Sequence, residues 1–179
     1  MKLHLGCGKR FIPGFVHVDI AKFDHIDHNR RVDDLSCFED NSAELIYACQ
    51  VLEYFDRDEL PVVLKEWKRV LKKSGILRLS VPNFKVLSDL YQAGLSLEFF
   101  LGTLYGKWHI GEEKYVYHKT TFDFKSAERV LEDAGFKNIE LWDWRTTEHC
   151  EIDDYSQAYF PHMEKNKGVL FNLNIQCQK

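Results

Sequence analysis

Along the first eighty residues, short apolar runs alternate with glycine, proline and acidic stops. Met1–Leu5 is an apolar run halted by Gly6-Cys7-Gly8, the pattern of a strand feeding a tight loop. Pro13-Gly14 marks a turn, and Phe15–Ile20 is a second run carrying Asp19 near its end. Residues 21–34 are polar and acidic with little periodicity. Asp40-Asn41-Ser42 has turn chemistry, and Ala43–Cys49 is then predicted as a third buried strand. Arg57–Lys73 is the strongest helix prediction. Leu60, Val63, Leu64, Trp67, Val70 and Leu71 share one face, Asp58 can serve the first turn, and Gly75 follows as a stop. Ile76–Val81 is another strand, closed by Pro82-Asn83.

The alternation then breaks. Residues 84–124 hold ten of the chain's 25 aromatic side chains, with glycines at 94, 102, 106 and 111. Asp123–Ala134 is predicted as a helix with Phe124, Ala127, Val130 and Leu131 inward, followed by late strands at Ile139–Trp144 and Val169–Cys177. Strands alternating with helices imply an α/β fold with a largely parallel sheet. In such sheets ligands sit outside the carboxyl ends of the strands, so the loop after the first strand is where a site is expected. The chain reads as a single domain over residues 1–179. Its aromatic segment, about 84–122, reads as a lid or acceptor-binding insertion at that mouth; the alternative is a helical cap that never meets substrate.

Composition narrows the classes. With 45% apolar and 29% charged residues in 179, the chain is an ordinary globule, and no apolar run is long enough for a membrane span. A strand so soon after Met1 leaves no room for a signal peptide, and five cysteines without CxxC spacing read as reduced thiols, so a cytoplasmic setting is expected. The net charge of −4 does not suit a nucleic-acid partner. The one basic cluster (Lys65, Lys68, Arg69, Lys72, Lys73) reads as a solvated helix end, where cations suit the dipole.

Gly6 and Gly8 directly after a strand let a ligand approach the backbone and expose amides to a carboxylate or phosphate, although a simple turn uses the same residues. Asp19 ends the next strand, where a carboxylate can accept hydrogen bonds from ribose hydroxyls. A dinucleotide fits poorly, because Phe11 stands where the third glycine of GxGxxG would be. The acid also follows Gly8 by 11 residues, against roughly 20 in that unit. There is no GxxxxGK[ST] loop for a nucleoside triphosphate.

The ordered set LHLGCG, VHVD, DDL, FEDNSAELIYACQVLEYF, LKEWKRVLKKSGILRLSVPNF and FKSAERVLEDAGF resembles the class I S-adenosylmethionine (SAM)-dependent methyltransferases. It is most similar to a bacterial group of small methyltransferases often associated with cell-surface glycan genes. The likeness covers residues 1–83 and 118–145. It implies a Rossmann-like, mostly parallel seven-stranded sheet with helices on both faces and an antiparallel last strand. It also implies that Leu5, Gly6, Cys7 and Gly8 form the loop under the methionine part of SAM. Asp19 matches the acid that binds the ribose, with Ile20 packing near the adenine. Asp33-Asp34-Leu35 matches the segment meeting the adenine edge, with the choice between Asp33 and Asp34 open. Gln50 matches a position lining the methionine end. Relatives commonly carry histidine where this chain has Gln50 and Tyr54. Only about eight residues join the first two strands, and Pro13-Gly14 interrupts them, so the first helix is expected to be shortened to a turn.

The implied reaction moves the SAM methyl group to an oxygen or nitrogen of a small-molecule or glycan-linked acceptor, leaving S-adenosylhomocysteine (SAH). A base is needed only when the acceptor nucleophile is protonated. His118, which precedes the helix at 123–134, is the first candidate, with Tyr54 beside it; His109 is weaker. Each histidine may instead only pack or cap. Glu53 reads either as facing the methyl group or as a buried structural carboxylate. No metal is expected: Asp24-His25-Ile26-Asp27-His28 and Glu148-His149-Cys150 lack matched partners and read as solvated loops. Cys7 reads as a small loop residue rather than a nucleophile, and Trp142 and Trp144 as one face of a strand. Two other classes stay open: a non-catalytic SAM-, SAH- or nucleoside-binding module, and an NAD-type oxidoreductase.

Overall fold

The computed structural model describes residues 1–111 and 114–179. Its elements, in chain order, begin with β1 (Lys2–Leu5), β2 (Phe15–Asp19), β3 (His28–Asn29), β4 (Ala43–Cys49), α1 (Leu60–Val70) and β5 (Leu71–Pro82). The middle of the chain forms α2 (Phe84–Gln92), α3 (Leu97–Tyr105), β6 (Trp108–Gly111) and β7 (Lys114–Val116). Then come α4 (Phe124–Asp133), β8 (Lys137–Leu141), β9 (Tyr159–Phe160), β10 (Val169–Leu170) and β11 (Asn172–Gln178), with single 3-10 turns at 52–54, 144–146 and 155–157.

Seven strands form one sheet in the order β3-β2-β1-β4-β5-β11-β8. The pairings are parallel except those of β11, which runs antiparallel to both β5 and β8. The chain builds outward from β1 through β2 to β3 and then crosses to β4 on the other side of β1. That reversal leaves a crevice above the carboxyl ends of β1, β2 and β4. As expected, the nine residues from Gly6 to Gly14 hold turns and no helix.

The two faces are covered differently, and β4 shows why. Ile46 and Ala48 point into a core with Trp67 of α1 and Leu131 of α4, whereas Leu45 and Tyr47 point into a second core with Ile12, Phe15 and Trp142. The first face is held by amphipathic α-helices. The second is covered by residues 142–158, a segment with two 3-10 turns and no longer helix, and many of the side chains buried beneath it are polar. Tyr47 Oη donates to Asp154 Oδ2 at 2.6 Å, Asn174 Nδ2 to the Ser156 carbonyl at 2.8 Å and Asn172 Nδ2 to the Tyr155 carbonyl at 2.7 Å. The rings of His4, His17 and His149 are buried there, with His4 5.3 Å and His149 4.5 Å from the Tyr47 ring. His149 is thus a packing residue rather than part of a solvated loop.

Several boundaries move for identifiable reasons. Helix α1 is shorter at both ends than 57–73. Pro61 lies in its first turn, and the Asp56 carboxylate, not Asp58, accepts the amides of Asp58 and Glu59 ahead of it. At its far end Leu71 already pairs with Ala43. Helix α4 starts one residue late because Asp123 is its N-cap, in a reciprocal pair with Ser126. Strand β8 stops at Leu141, so Trp142 and Trp144 lie beyond it, the latter opening a 3-10 turn. Val169–Leu170 pairs with β9 in a separate hairpin, and the last sheet strand begins at Asn172. The basic cluster is partly consumed inside the fold. Lys68 Nζ donates to the carbonyls of Ala134 and Gly135 at the end of α4, and Arg69 binds Glu66, Asp40 and two loop carbonyls.

Two outcomes follow for stability. Trp67 is fully buried and its indole N–H donates to the Val32 carbonyl at 2.8 Å, so Trp67→Ala is expected to cost about 3–5 kcal/mol in a denaturant titration. Burial holds His4, His17 and His149 below the usual 6.5, although Asp27 opposes the shift at His17. The unfolded chain therefore takes up protons first, and stability is expected to fall as pH drops below about 6.5, a slope that His149→Phe should flatten in thermal melts.

Candidate active site

The site starts where β1 ends. Gly6 (φ +62°) and Gly8 (φ +55°) both lie in the left-handed region, where glycine carries no Cβ penalty. A Cβ on Gly6 would overlap Val51 Cγ2, and one on Gly8 would lie 3.3 Å from the Trp108 ring. The loop is anchored from below, with Gly6 N–H donating to the Val18 carbonyl at 2.8 Å. It is also anchored from the side: Asp19 Oδ2 accepts from Gly8 N–H at 2.8 Å, and Asp19 Oδ1 accepts from Ala21 N–H at 2.7 Å. Asp19 is 5% exposed, and each of its oxygens keeps a second lone pair toward the crevice.

Across the crevice, Gln50 follows β4 with φ +57°, an unusual conformation for a non-glycine residue. Its main-chain N–H donates to the Ser80 carbonyl at 2.8 Å, while its side-chain Nε2 is buried without a partner. A donor left unmatched at a cavity wall calls for an acceptor from a ligand. The cavity between these elements has a volume of about 840 Å³.

Of the residues singled out in the sequence, Gly6, Cys7, Gly8, Asp19, Ile20, Asp33, Gln50, Tyr54 and His118 line this cavity. Leu5, Asp34 and Leu35 do not. Leu5 and Leu35 are core residues, and the Leu35 amide is already taken by Glu66 Oε1 at 3.0 Å. Asp34 turns outward to Arg30 and to the Ser36 amide. Asp33 faces the cavity, with both oxygens also bonded to the Arg31 guanidinium. Burial and the nearby Asp19 charge push the Cys7 thiol up to about 12, so it stays protonated. His109 sits on the β6–β7 hairpin, 5.2 Å from the Tyr115 ring and away from the cavity. Among the described residues, no three side chains of metal-ligating type converge.

The aromatic segment contributes the far wall. Helix α3 and the β6–β7 pair close over the mouth, with Phe99, Trp108, Tyr115 and Tyr117 lining it, whereas no residue of α2 reaches it; Glu112 and Glu113 of this segment lie outside the described residues. His118 N–H donates to the Tyr105 carbonyl at 2.8 Å, and its ring sits edge-on to Tyr54 at 4.6 Å. Burial lowers the His118 pKa, against the opposing hydrogen bond that its ring donates to the Thr103 carbonyl. Sequence reasoning missed Trp108 over the glycine loop and Tyr155 on the opposite wall. Trp108 reaches the cavity from the start of β6 and Tyr155 from a 3-10 turn, neither with a motif of its own.

The comparisons fit this geometry. A family model described as a methyltransferase domain matches residues 15–79, beginning just after the glycine loop. Over that stretch the chain is similar to this methyltransferase family. No curated protein matches it in sequence. Among solved structures, a SAM-dependent methyltransferase from Archaeoglobus fulgidus superposes with a TM-score of 0.59 at 15% identity, covering 99% of this chain and 85% of that one. Another, from Methanosarcina mazei, gives 0.58 at 18% identity, covering 99% and 91%. The 1,6-didemethyltoxoflavin-N1-methyltransferase of Burkholderia thailandensis, solved with that compound and SAH, gives 0.55 at 11% identity, covering 99% and 70%. At such identities the structural likeness speaks for the fold, a seven-stranded sheet with one antiparallel strand.

Gly6→Ala places a methyl group on Val51 in a strained backbone conformation. It is expected to lower the melting temperature and to abolish SAH binding in calorimetry, whereas Gly14→Ala, which has open space around it, should keep SAH binding.

Proposed function

We propose that the methyltransferase binds SAM across the crevice and transfers its methyl group to an oxygen or nitrogen of a small-molecule or glycan-linked acceptor held under the aromatic segment. The observation that carries this reading is one cavity whose facing walls differ in chemistry. One wall is main chain, carboxylate and amide (Gly6, Gly8, Asp19, Gln50), and the wall across from it carries aromatic rings, Trp108 over Gly8 among them.

On the first wall, the spare lone pairs of Asp19 suit ribose hydroxyls, and the unpartnered Gln50 Nε2 suits the carboxylate of an amino acid. Gly6, Cys7 and Gly8 let that part pass close to the main chain. Ile20 and Asp33 stand where an adenine would lie. When bound, SAM supplies a methyl group on a sulfonium whose leaving group is neutral, so no acid is required. The chain's own task is alignment and exclusion of water. Trp108 covers the glycine loop, and Tyr54, Tyr115 and Tyr117 offer ring faces and edges to an acceptor. His118 is the group on this wall suited to hold an acceptor's proton. The cavity wall carries four basic side chains (Arg10, Arg31, Lys107, Lys119) and four acidic ones (Asp19, Asp33, Glu59, Asp154), a balance that does not suit a polyanion such as nucleic acid. Among the described residues no helix is long and apolar enough to cross a membrane. The Burkholderia relative, named for methylating a nitrogen of a small ring compound, supports a small acceptor.

Calorimetry with SAH tests the cofactor half. Asp19→Ala is expected to weaken SAH by at least about tenfold, or roughly 1.4 kcal/mol, and unchanged affinity would falsify the ribose assignment. A panel of hydroxyl and amine acceptors with labelled SAM tests the other half. His118→Asn is expected to lower kcat roughly 100-fold with SAH affinity preserved. Tight SAH binding with no acceptor methylated across the panel would favour the non-catalytic binding module.

A further inference from the structure

Behind the cavity wall lies a side chain that the reading above leaves unused. Glu53 is 0% exposed, and no side chain hydrogen-bonds to either of its carboxylate oxygens; only the main-chain amides of Val51 and Glu53 lie close enough to oppose the effect of burial. It sits in the 3-10 turn 52–54, just beyond Gln50. Its main-chain carbonyl accepts from the amides of Lys119 (2.8 Å) and Thr120 (3.2 Å), which joins the turn to the segment that follows the aromatic insertion. The same joint brings Glu53 Oε1 to 3.9 Å from His118 Nε2.

The His118 ring is held on its other sides. Its Nδ1 lies 2.9 Å from the Thr103 carbonyl, which can only accept, so the proton of the neutral ring is on Nδ1 and the lone pair on Nε2. Gly106 backs the ring so closely that a Cβ there would lie 2.6 Å from Nε2, and Tyr54 closes a further side. The His118 side chain is 4% exposed. A fixed imidazole whose one lone pair lies beside a buried carboxyl without a side-chain partner is a pair built to share a proton.

We propose that Glu53 is the positioning residue of His118: as a neutral acid it donates to Nε2 and occupies that lone pair, and loss of its proton frees Nε2 to take one from the acceptor. This rests on the proposed placement of the acceptor beside His118. The 3.9 Å separation is longer than a hydrogen bond, as catalytic pairs often are before substrate tightens them. Burial pushes Glu53 up to about 8 and holds His118 below its usual value, so at neutral pH both groups are uncharged. Once Glu53 has ionised, the acceptor X–H bond can break with its electron pair left on X. The proton then passes to Nε2, and the imidazolium formed is balanced by the Glu53 carboxylate. The neighbouring titratable groups do not substitute for Glu53. Burial holds the Tyr54 phenol and the Cys49 thiol protonated, and Lys119 turns outward to Glu59 at 2.8 Å and Asp56 at 4.0 Å. The sign follows from the raised carboxyl: the form able to act as base accumulates as pH rises through about 8.

Long-range proton–nitrogen spectra of the wild-type histidines, recorded from about pH 6 to about pH 10, test this directly, with His118 assigned by the resonance lost in His118→Asn. Expected is an Nδ1–H tautomer at neutral pH whose Nε2 shift moves in one step near pH 8. In Glu53→Gln that step disappears, because the amide still donates but cannot ionise. A His118 Nε2 resonance flat between about pH 7 and about pH 9, or a step that persists in Glu53→Gln, overturns the proposal. If Glu53→Gln does not fold, the wild-type titration decides alone. SAH binding to the wild-type protein is measured alongside. Its absence removes the methyl-transfer reading but not the proton sharing, whereas binding with a flat His118 removes only the proton sharing.

Discussion

Asp19 stands at the carboxyl end of β2 with one oxygen on the amide of Gly8 and the other on the amide of Ala21, and the geometry of the crevice depends on that bidentate anchorage. The loop after β1 has two residues in the left-handed region and no helix to stiffen it, so the buried carboxylate holds it against the neighbouring strand. In a low-dielectric setting such charge-assisted hydrogen bonds are among the stronger that a side chain can make. The residue that orders the glycine loop also lines the cavity, so the fold and the proposed site draw on the same group.

The shortened first crossover has a consequence on the sheet's second face. Without a helix there, residues 142–158 cover that face through hydrogen bonds from Tyr47, Asn172 and Asn174. Burying polar side chains is tolerated when partners are supplied, and most of these have them. Ser156 Oγ, the Oδ1 atoms of Asn172 and Asn174, His4 Nδ1 and both His149 nitrogens lack partners, and the neutral histidines among them tie the stability of this face to pH.

The end of the insertion after β5 is joined to the turn that follows β4 through main chain. The Glu53 carbonyl accepts from the amides of Lys119 and Thr120, and within the insertion the His118 amide donates to the Tyr105 carbonyl. Side chains that were far apart in sequence are thereby locked together: Trp108 over Gly8, and His118 beside Glu53.

The sequence by itself determined the parts governed by local rules. Apolar runs and their stops marked β1, β2, β4 and β5, the face of α1, the inward face of α4 and the missing first helix, because periodicity, turn residues and loop length act over a few residues. It also marked the glycine loop and Asp19, since their chemistry is tied to strand ends. Tertiary structure alone decided whatever depends on long-range juxtaposition. It brought Asp33 to the cavity wall and turned Asp34 away, buried His149, ended α1 where Leu71 had a strand to pair with, and set a buried glutamate against His118. Such pairings span tens of residues, and no period or spacing along the chain encodes which side chains meet when separate elements pack.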